Sequence, residues 1–371
     1  MSTLPDISEH LHVKQGFCHP DWRAISDCIE RGLPEKEWNS AWQAVSRAWV
    51  DRIRDTLAGA YQVYETANFL ILSGAPKRVI RDACSSYEDA LKRILRNLEG
   101  AASHEGFGKH VVLMFADLDD YYGYISYFYS DGEHPMTGGV CLGGEGYMHF
   151  AFPTTDYSTY RTVLVHELTH GCLTHLPIPA WLNEALAMRM EQLICGSDTF
   201  ALDQETYDKH SAHWNAETIQ QFWSGESWEI PGDSFELSYN LAQVLWRKIE
   251  VDLAAPRDAI LQFICGAVAA DAGDAACQTV FDISLGDLVM NFLGDGPWPP
   301  EPAKWPGNRQ VEMEKTSLHS SDVLLVSLLL LNSRIGKTPL VAIENGVAYC
   351  VFLRDHGAMR RAKRLVLTAL G

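Results

Sequence analysis

Apolar positions between Asp21 and Leu57 recur at helical spacing. Trp38, Trp42, Trp49, Ile53 and Leu57 fall on one stripe, so this stretch is expected to be helical, with an aromatic face turned to a core. The next stretch, YQVYETANFLILSG (Tyr61–Gly74), changes period. Its alternating and branched residues end at a Gly-Ala-Pro break, which predicts extended chain. Arg78 to Leu98 returns to helical spacing, and HVVLMFA (His110–Ala116) has the length and apolarity of a short buried strand. GGVCLGGEGYMHFAF (Gly138–Phe152) predicts two short strands about a Gly-Gly-Glu-Gly turn.

From there helices dominate. Asp156 is a candidate N-cap, and no proline follows until Pro177, which predicts one helix of about five turns. Pro179 suits the first turn of a second helix over Ala180–Ile194. Phe235–Asp252, Ala259–Val268 and Leu285–Leu293 are predicted helices too. GDGPWPPEPAKWPGN (Gly294–Asn308) is the clearest linker composition in the chain. Beyond it we expect a helix near Ser321–Leu331, a hairpin turning at Glu344-Asn345-Gly346 and a basic C-terminal helix. The expected organisation is an N-terminal helical segment (1–58), a main domain (59–294), a linker (295–311) and a small C-terminal α/β unit (312–371). The fold class is α+β, a small mixed sheet with a mostly helical lower half.

Composition narrows the function classes. With 371 residues, 47% hydrophobic and 21% charged, the chain can bury a large core and is not of disordered type. A formal charge of −18 argues against a nucleic-acid partner, because phosphate contacts need a basic surface. The basic cluster Arg354, Arg360, Arg361, Lys363 and Arg364 reads as the solvated face of a last helix. MSTLPDISEH does not look like a secretory signal, and the apolar run Val323–Leu331 is far short of the ~20 residues a bilayer needs. The cysteines at 18, 28, 84, 141, 172, 195, 265, 277 and 350 are odd in number and contain no CxxC. They predict neither a disulfide framework nor a cysteine metal site, and the expected setting is cytoplasmic, with no membrane partner.

The chemistry sits in TVLVHELTHGCLTHLPIPAWLNEALA (Thr162–Ala187). On a helix, His166 and His170 lie one turn apart on one face, so both imidazoles can reach one ion. Glu167 points about 100° further round, beside such an ion rather than onto it. The flanking Val163, Leu164, Val165, Leu168 and Cys172 predict a buried helix, where unpartnered histidines and a carboxylate would be costly. An HExxH string alone arises by chance in about one in thirty chains of this composition, so a third ligand decides. His175 lies on the wrong side of the helix to share the ion, and Leu173 and Leu176 occupy the places where a metzincin needs glycine and histidine. Glu184, 14 residues after His170 and past the Pro177-Ile178-Pro179 turn, can fold back as that ligand.

HELTH followed by PAWLNEALA resembles the gluzincin metallopeptidases, in their peptidase-MA-like bacterial branch with short spacing to the ligand glutamate. The resemblance spans roughly Tyr61 to Leu293, with its specific motifs confined to Thr162–Met188. It implies a zincin-like fold and one Zn²⁺ held by His166, His170 and Glu184. It also implies Glu167 as the general base for attack of a zinc-bound water on a peptide bond of a peptide or protein substrate. In some gluzincins an aspartate four residues after the ligand glutamate holds a zinc histidine. Here that position is Met188, which leaves Asn183 as a possible substitute. Ala185 stands where relatives often have glycine. Tyr239, 55 residues after Glu184, is the candidate donor to the oxyanion, or else a buried or capping tyrosine.

Several other residues carry a bland reading first. His210 and His213 read as surface residues rather than a second metal site, and Trp181, Tyr121, Tyr122 and Tyr124 as core rather than cleft. Gly138–Leu142 is expected at a sheet edge that binds extended peptide, the alternative being a hairpin without a ligand. The rival functions are a catalytically inactive zincin-fold binding protein with a structural zinc, and an interaction module without metal.

Overall fold

The computed structural model describes residues 8–128, 139–144, 147–154, 160–197, 200, 202–230, 232–305, 340–344 and 347–351. Two compact units divide between Asn308 and Arg309. In the first, a β-hairpin, β1 (Leu11–Lys14) and β2 (Phe17–Pro20), precedes helices α1 (Trp22–Gly32) and α2 (Glu35–Thr56). A sheet and the helix between its strands follow: β3 (Gln62–Glu65), β4 (Phe69–Ser73), α3 (Lys77–Asn97), β5 (His110–Phe115), α4 (Leu118–Ile125), β6 (Val140–Gly144) and β7 (Tyr147–Pro153). The strand order is β3-β4-β5-β7-β6. β4, β5 and β7 run parallel, and the edge strands β3 and β6 are antiparallel to their neighbours. The protein is therefore α+β, with a mixed five-stranded sheet and a mostly helical remainder.

Strand alternation sorts the side chains into two cores. Phe69, Ile71, Val112, Met114, Phe150 and Phe152 face one way, onto α3 and the helices that follow the sheet. Leu70, Leu72, Val111, Leu113, Phe115 and Ala151 face the other way, onto α1, α2 and α4. The aromatic stripe of the N-terminal helices is fully used there. Trp49 is buried and donates Nε1–H to the Cys18 carbonyl at 3.0 Å, while Trp22 stacks on Tyr147 at 3.6 Å. The segment expected as a flanking helical piece thus shares a core with the sheet from its hairpin onward.

The helical half contains α5 (Tyr160–Leu173), α6 (Ala180–Cys195), α7 (Gln204–His213), α8 (Thr218–Ser224), α9 (Asp233–Arg247), α10 (Arg257–Gly266), α11 (Asp274–Phe281) and α12 (Leu285–Leu293). The expected cap at Asp156 lies outside the described residues. α6 ends at Gly196, whose φ of 71° suits the left-handed closing position.

The proline-rich stretch differs from a linker as far as Trp305. Its tryptophans 298 and 305 are buried against the helical core. Gln220 on α8 ties it down: its amide donates to the Pro299 carbonyl at 2.9 Å, and its Oε1 accepts from the Glu301 amide at 2.8 Å and the Trp305 indole at 3.0 Å. Proline composition signalled an absence of helix, whereas the two tryptophans decided burial.

In the second unit, β8 (Leu340–Glu344) and β9 (Val347–Val351) form an antiparallel pair, while Asn345 and Gly346 of the expected turn lie outside the described residues. The expected helix at Ser321–Leu331 and the basic C-terminal helix lie outside the described residues.

Candidate metal centre

On α5, Leu164, Val165, Leu168 and Cys172 are fully buried. Each such side chain contributes roughly 1.5–3 kcal/mol by leaving water. Two glycines set its distance from the sheet. A Cβ on Gly139, just before β6, would lie 2.3 Å from Val163 Cγ1 on α5, and one on Gly171 would lie 2.8 Å from Met148 Cε on β7. Helix and strands pack closely because those atoms are missing.

α6 lies alongside α5, anchored by fully buried Trp181, whose Nε1–H donates to the Ala272 carbonyl at 2.9 Å. This pairing brings Glu184 to the two histidines. His166 Nε2 is 3.2 Å from Glu184 Oε2, and His170 Nε2 is 3.5 Å from Glu184 Oε1. The imidazoles stand nearly edge to face, with centroids 4.7 Å apart. One ligand atom from each of His166, His170 and Glu184 lies within 4.8 Å of the others, a group that could hold one metal ion. Among the described residues, His170 Nδ1 is buried without a hydrogen-bond partner, and buried Glu184 Oε2 has only the His166 Nε2 contact at 3.2 Å without hydrogen-bond geometry, which is costly unless an ion takes up that oxygen. Two neutral nitrogens and one carboxylate oxygen are a donor set that suits zinc and leaves a fourth position open.

The electrostatics follow from burial and proximity. Burial alone would depress both imidazoles, but Glu184 and Glu191 outweigh it at His166, and Glu184 outweighs it at His170. Both pKa values are therefore raised, that of His166 strongly. Burial would raise the Glu184 carboxyl, yet the two histidines hold it well below the usual carboxylate range. Glu167 lies close enough to feel the same two histidines and behaves differently. Burial pushes its carboxyl up against the pull of His170 and His166, and the Cys141 backbone on β6 hydrogen-bonds to it. Tyr239 on α9 also reaches the site. Its phenol is pushed far up by burial, then by the nearby Glu184 and Glu167 carboxylates, so it stays protonated.

Glu191 is the residue that sequence reasoning missed. Its Oε1 lies 2.5 Å from His166 Nδ1. It stands seven residues after Glu184, which on a helix is close to two full turns and hence the same face. That spacing was the available signal, obscured by an expectation fixed on the position of Met188. Asn183 does not serve: its Oδ1 is buried without a partner among the described residues. A cavity of about 410 Å³ opens on this side, lined by His166, Glu191, Glu236 and Tyr239 among others.

The remaining candidates sort by burial. His210, expected at the surface, is fully buried. Its Nε2 meets Asn240 Oδ1 at 2.9 Å, and its Nδ1 accepts from the Trp214 indole at 2.7 Å. Helix α7 packs this face inward, a choice its mixed polarity did not reveal. His213 is half-buried. Tyr121, Tyr124 and Trp181 are core residues. His175 is not in the cluster. No protein-family model matches the chain, and no curated protein is significantly similar to it.

Proposed function

We propose that the protein is a zincin-like, zinc-dependent metallopeptidase. The observation that carries the reading is the convergence of His166, His170 and Glu184 with a fourth half-buried group, Glu167, beside them. A purely structural ion has no use for that extra carboxylate. Zinc, when bound by the three ligands, supplies Lewis-acid polarisation of water and of a carbonyl.

This chain's own groups do the rest. Glu167, its carboxyl pushed up from its ordinary value by burial, takes a proton from the attacking water and delivers it to the leaving amine. The Tyr239 phenol, held protonated, donates to the oxyanion that develops on the carbonyl. Edge strand β6 supplies backbone groups for an extended peptide, and at Gly143 an added Cβ would meet nothing within 4 Å, so another backbone has room to approach.

The test has two parts. Protein purified without added metal is expected to carry zinc near one equivalent, and to cleave members of an internally quenched peptide library. Glu167→Gln is expected to keep the metal and lose turnover. Equal turnover by this variant would remove the mechanism, and absence of zinc would remove the class; zinc without turnover favours a binding protein.

A further inference from the structure

The geometry points to Glu191 as the positioning residue that holds His166 in the tautomer offering Nε2 to the metal, with no counterpart on His170 among the described residues. The inference rests on the metal reading above and goes beyond it. The short contact runs from His166 Nδ1 to Glu191 Oε1 at 2.5 Å, while Nε2 of the same ring faces Glu184 at 3.2 Å. One imidazole is thus clamped between two carboxylates of α6, one at each nitrogen. A carboxylate accepts Nδ1–H, and this leaves the lone pair on Nε2, the atom that faces the cluster.

His170 is treated differently. Its Nε2 also faces Glu184, at 3.5 Å, but its Nδ1 is buried without a hydrogen-bond partner among the described residues, so no contact at that nitrogen selects its tautomer. The difference comes from the helix pairing. Glu184 sits between the two imidazoles, and α6 carries its other carboxylate, Glu191, two turns beyond it on the His166 side. Met188, one turn beyond Glu184, is apolar and buried. The outer carboxylate is thus displaced by about one turn of α6 from the Met188 position. The longer Glu side chain and the matching helix face make the contact possible. Because only one histidine arm is held, retention of the metal depends disproportionately on this contact.

The experiment measures the zinc dissociation constant of the full chain by competition with a chromophoric chelator, for wild type, Glu191→Ala, Glu191→Gln and Glu250→Ala. Glu250 pairs with Arg189 of α6 at 2.8 Å away from the cluster, so its loss perturbs the same helix without touching a ligand. Glu191→Ala is expected to weaken zinc about ten- to a hundred-fold. Glu191→Gln, which keeps an acceptor but no charge, should fall between it and wild type, and Glu250→Ala should match wild type. In zinc-loaded wild type, ¹⁵N shifts of His166 should report a protonated Nδ1. Equal affinity of Glu191→Ala and wild type would overturn the inference, as would a loss in Glu250→Ala as large as that in Glu191→Ala. If Glu191→Ala does not fold, a wild-type affinity for Glu191→Gln together with an unprotonated His166 Nδ1 would overturn it. A wild-type protein that binds no zinc would instead remove the reading on which it rests.

Discussion

Acidification is expected to weaken the fold through His149. This residue lies on β7 in the core that faces the N-terminal helices and is only 2% exposed. Its Nε2 is 2.6 Å from the Tyr124 hydroxyl. Burial pushes that phenol well above its ordinary pKa, so it stays protonated and donates to a neutral imidazole. Burial first, and then the neighbouring His19, lower the His149 pKa from 6.5 to about 3. The other titratable groups around it are Tyr124 and Tyr147, both neutral over the relevant range. The sign follows from proton counting. Below pH 6.5 the unfolded chain binds a proton at His149 that the folded chain refuses. Its stability contribution is therefore complete above about pH 7, and is lost as pH falls through 6.5 toward the folded value. At pH 5 the gap is about 1.5 pH units, or roughly 2 kcal/mol. Urea unfolding at pH 7.5 and pH 5.0 measures it, with His149→Phe as the reference that cannot titrate. The stability difference between wild type and variant should shift by about 2 kcal/mol between the two pH values. A difference that stays constant within about 0.5 kcal/mol would refute the reasoning.

Three further outcomes are expected. Gly139→Ala places a Cβ 2.3 Å from Val163 Cγ1 and 3.1 Å from Phe152 Cβ, so overpacking should cost about 1–3 kcal/mol, read as a lower thermal midpoint. Gln220→Ala removes three hydrogen bonds and leaves the buried Trp305 indole unpartnered. A loss of about 2–4 kcal/mol should follow, together with faster native-state proteolysis within residues 294–305, and unchanged proteolysis would contradict the account. Glu167→Gln should lower peptide turnover by a factor of about 10² or more while zinc content stays near one, measured by metal analysis beside a cleavage assay.

The sequence by itself determined what depends on local spacing. Strand and helix periods placed β5, α3 and α12 within a residue or two, and the one extended stretch expected over Tyr61–Gly74 holds both β3 and β4, because apolar side chains must repeat every second or every third to fourth residue to reach a core. The same logic put His166 and His170 on one face, and the short Pro177-Ile178-Pro179 turn made the return of Glu184 geometrically possible. Only the tertiary structure decided what two or more elements share. That Glu191 rather than Met188 or Asn183 meets His166 depends on how α6 lies along α5, which no periodicity encodes. That His210 is buried depends on its meeting Asn240 from α9, and that the proline-rich stretch is docked depends on Gln220 of α8. The sheet order, with β7 inserted between β5 and β6, likewise follows from long-range pairing. Burial of a polar residue is a property of its partners, and partners distant in sequence become visible only once the chain has folded.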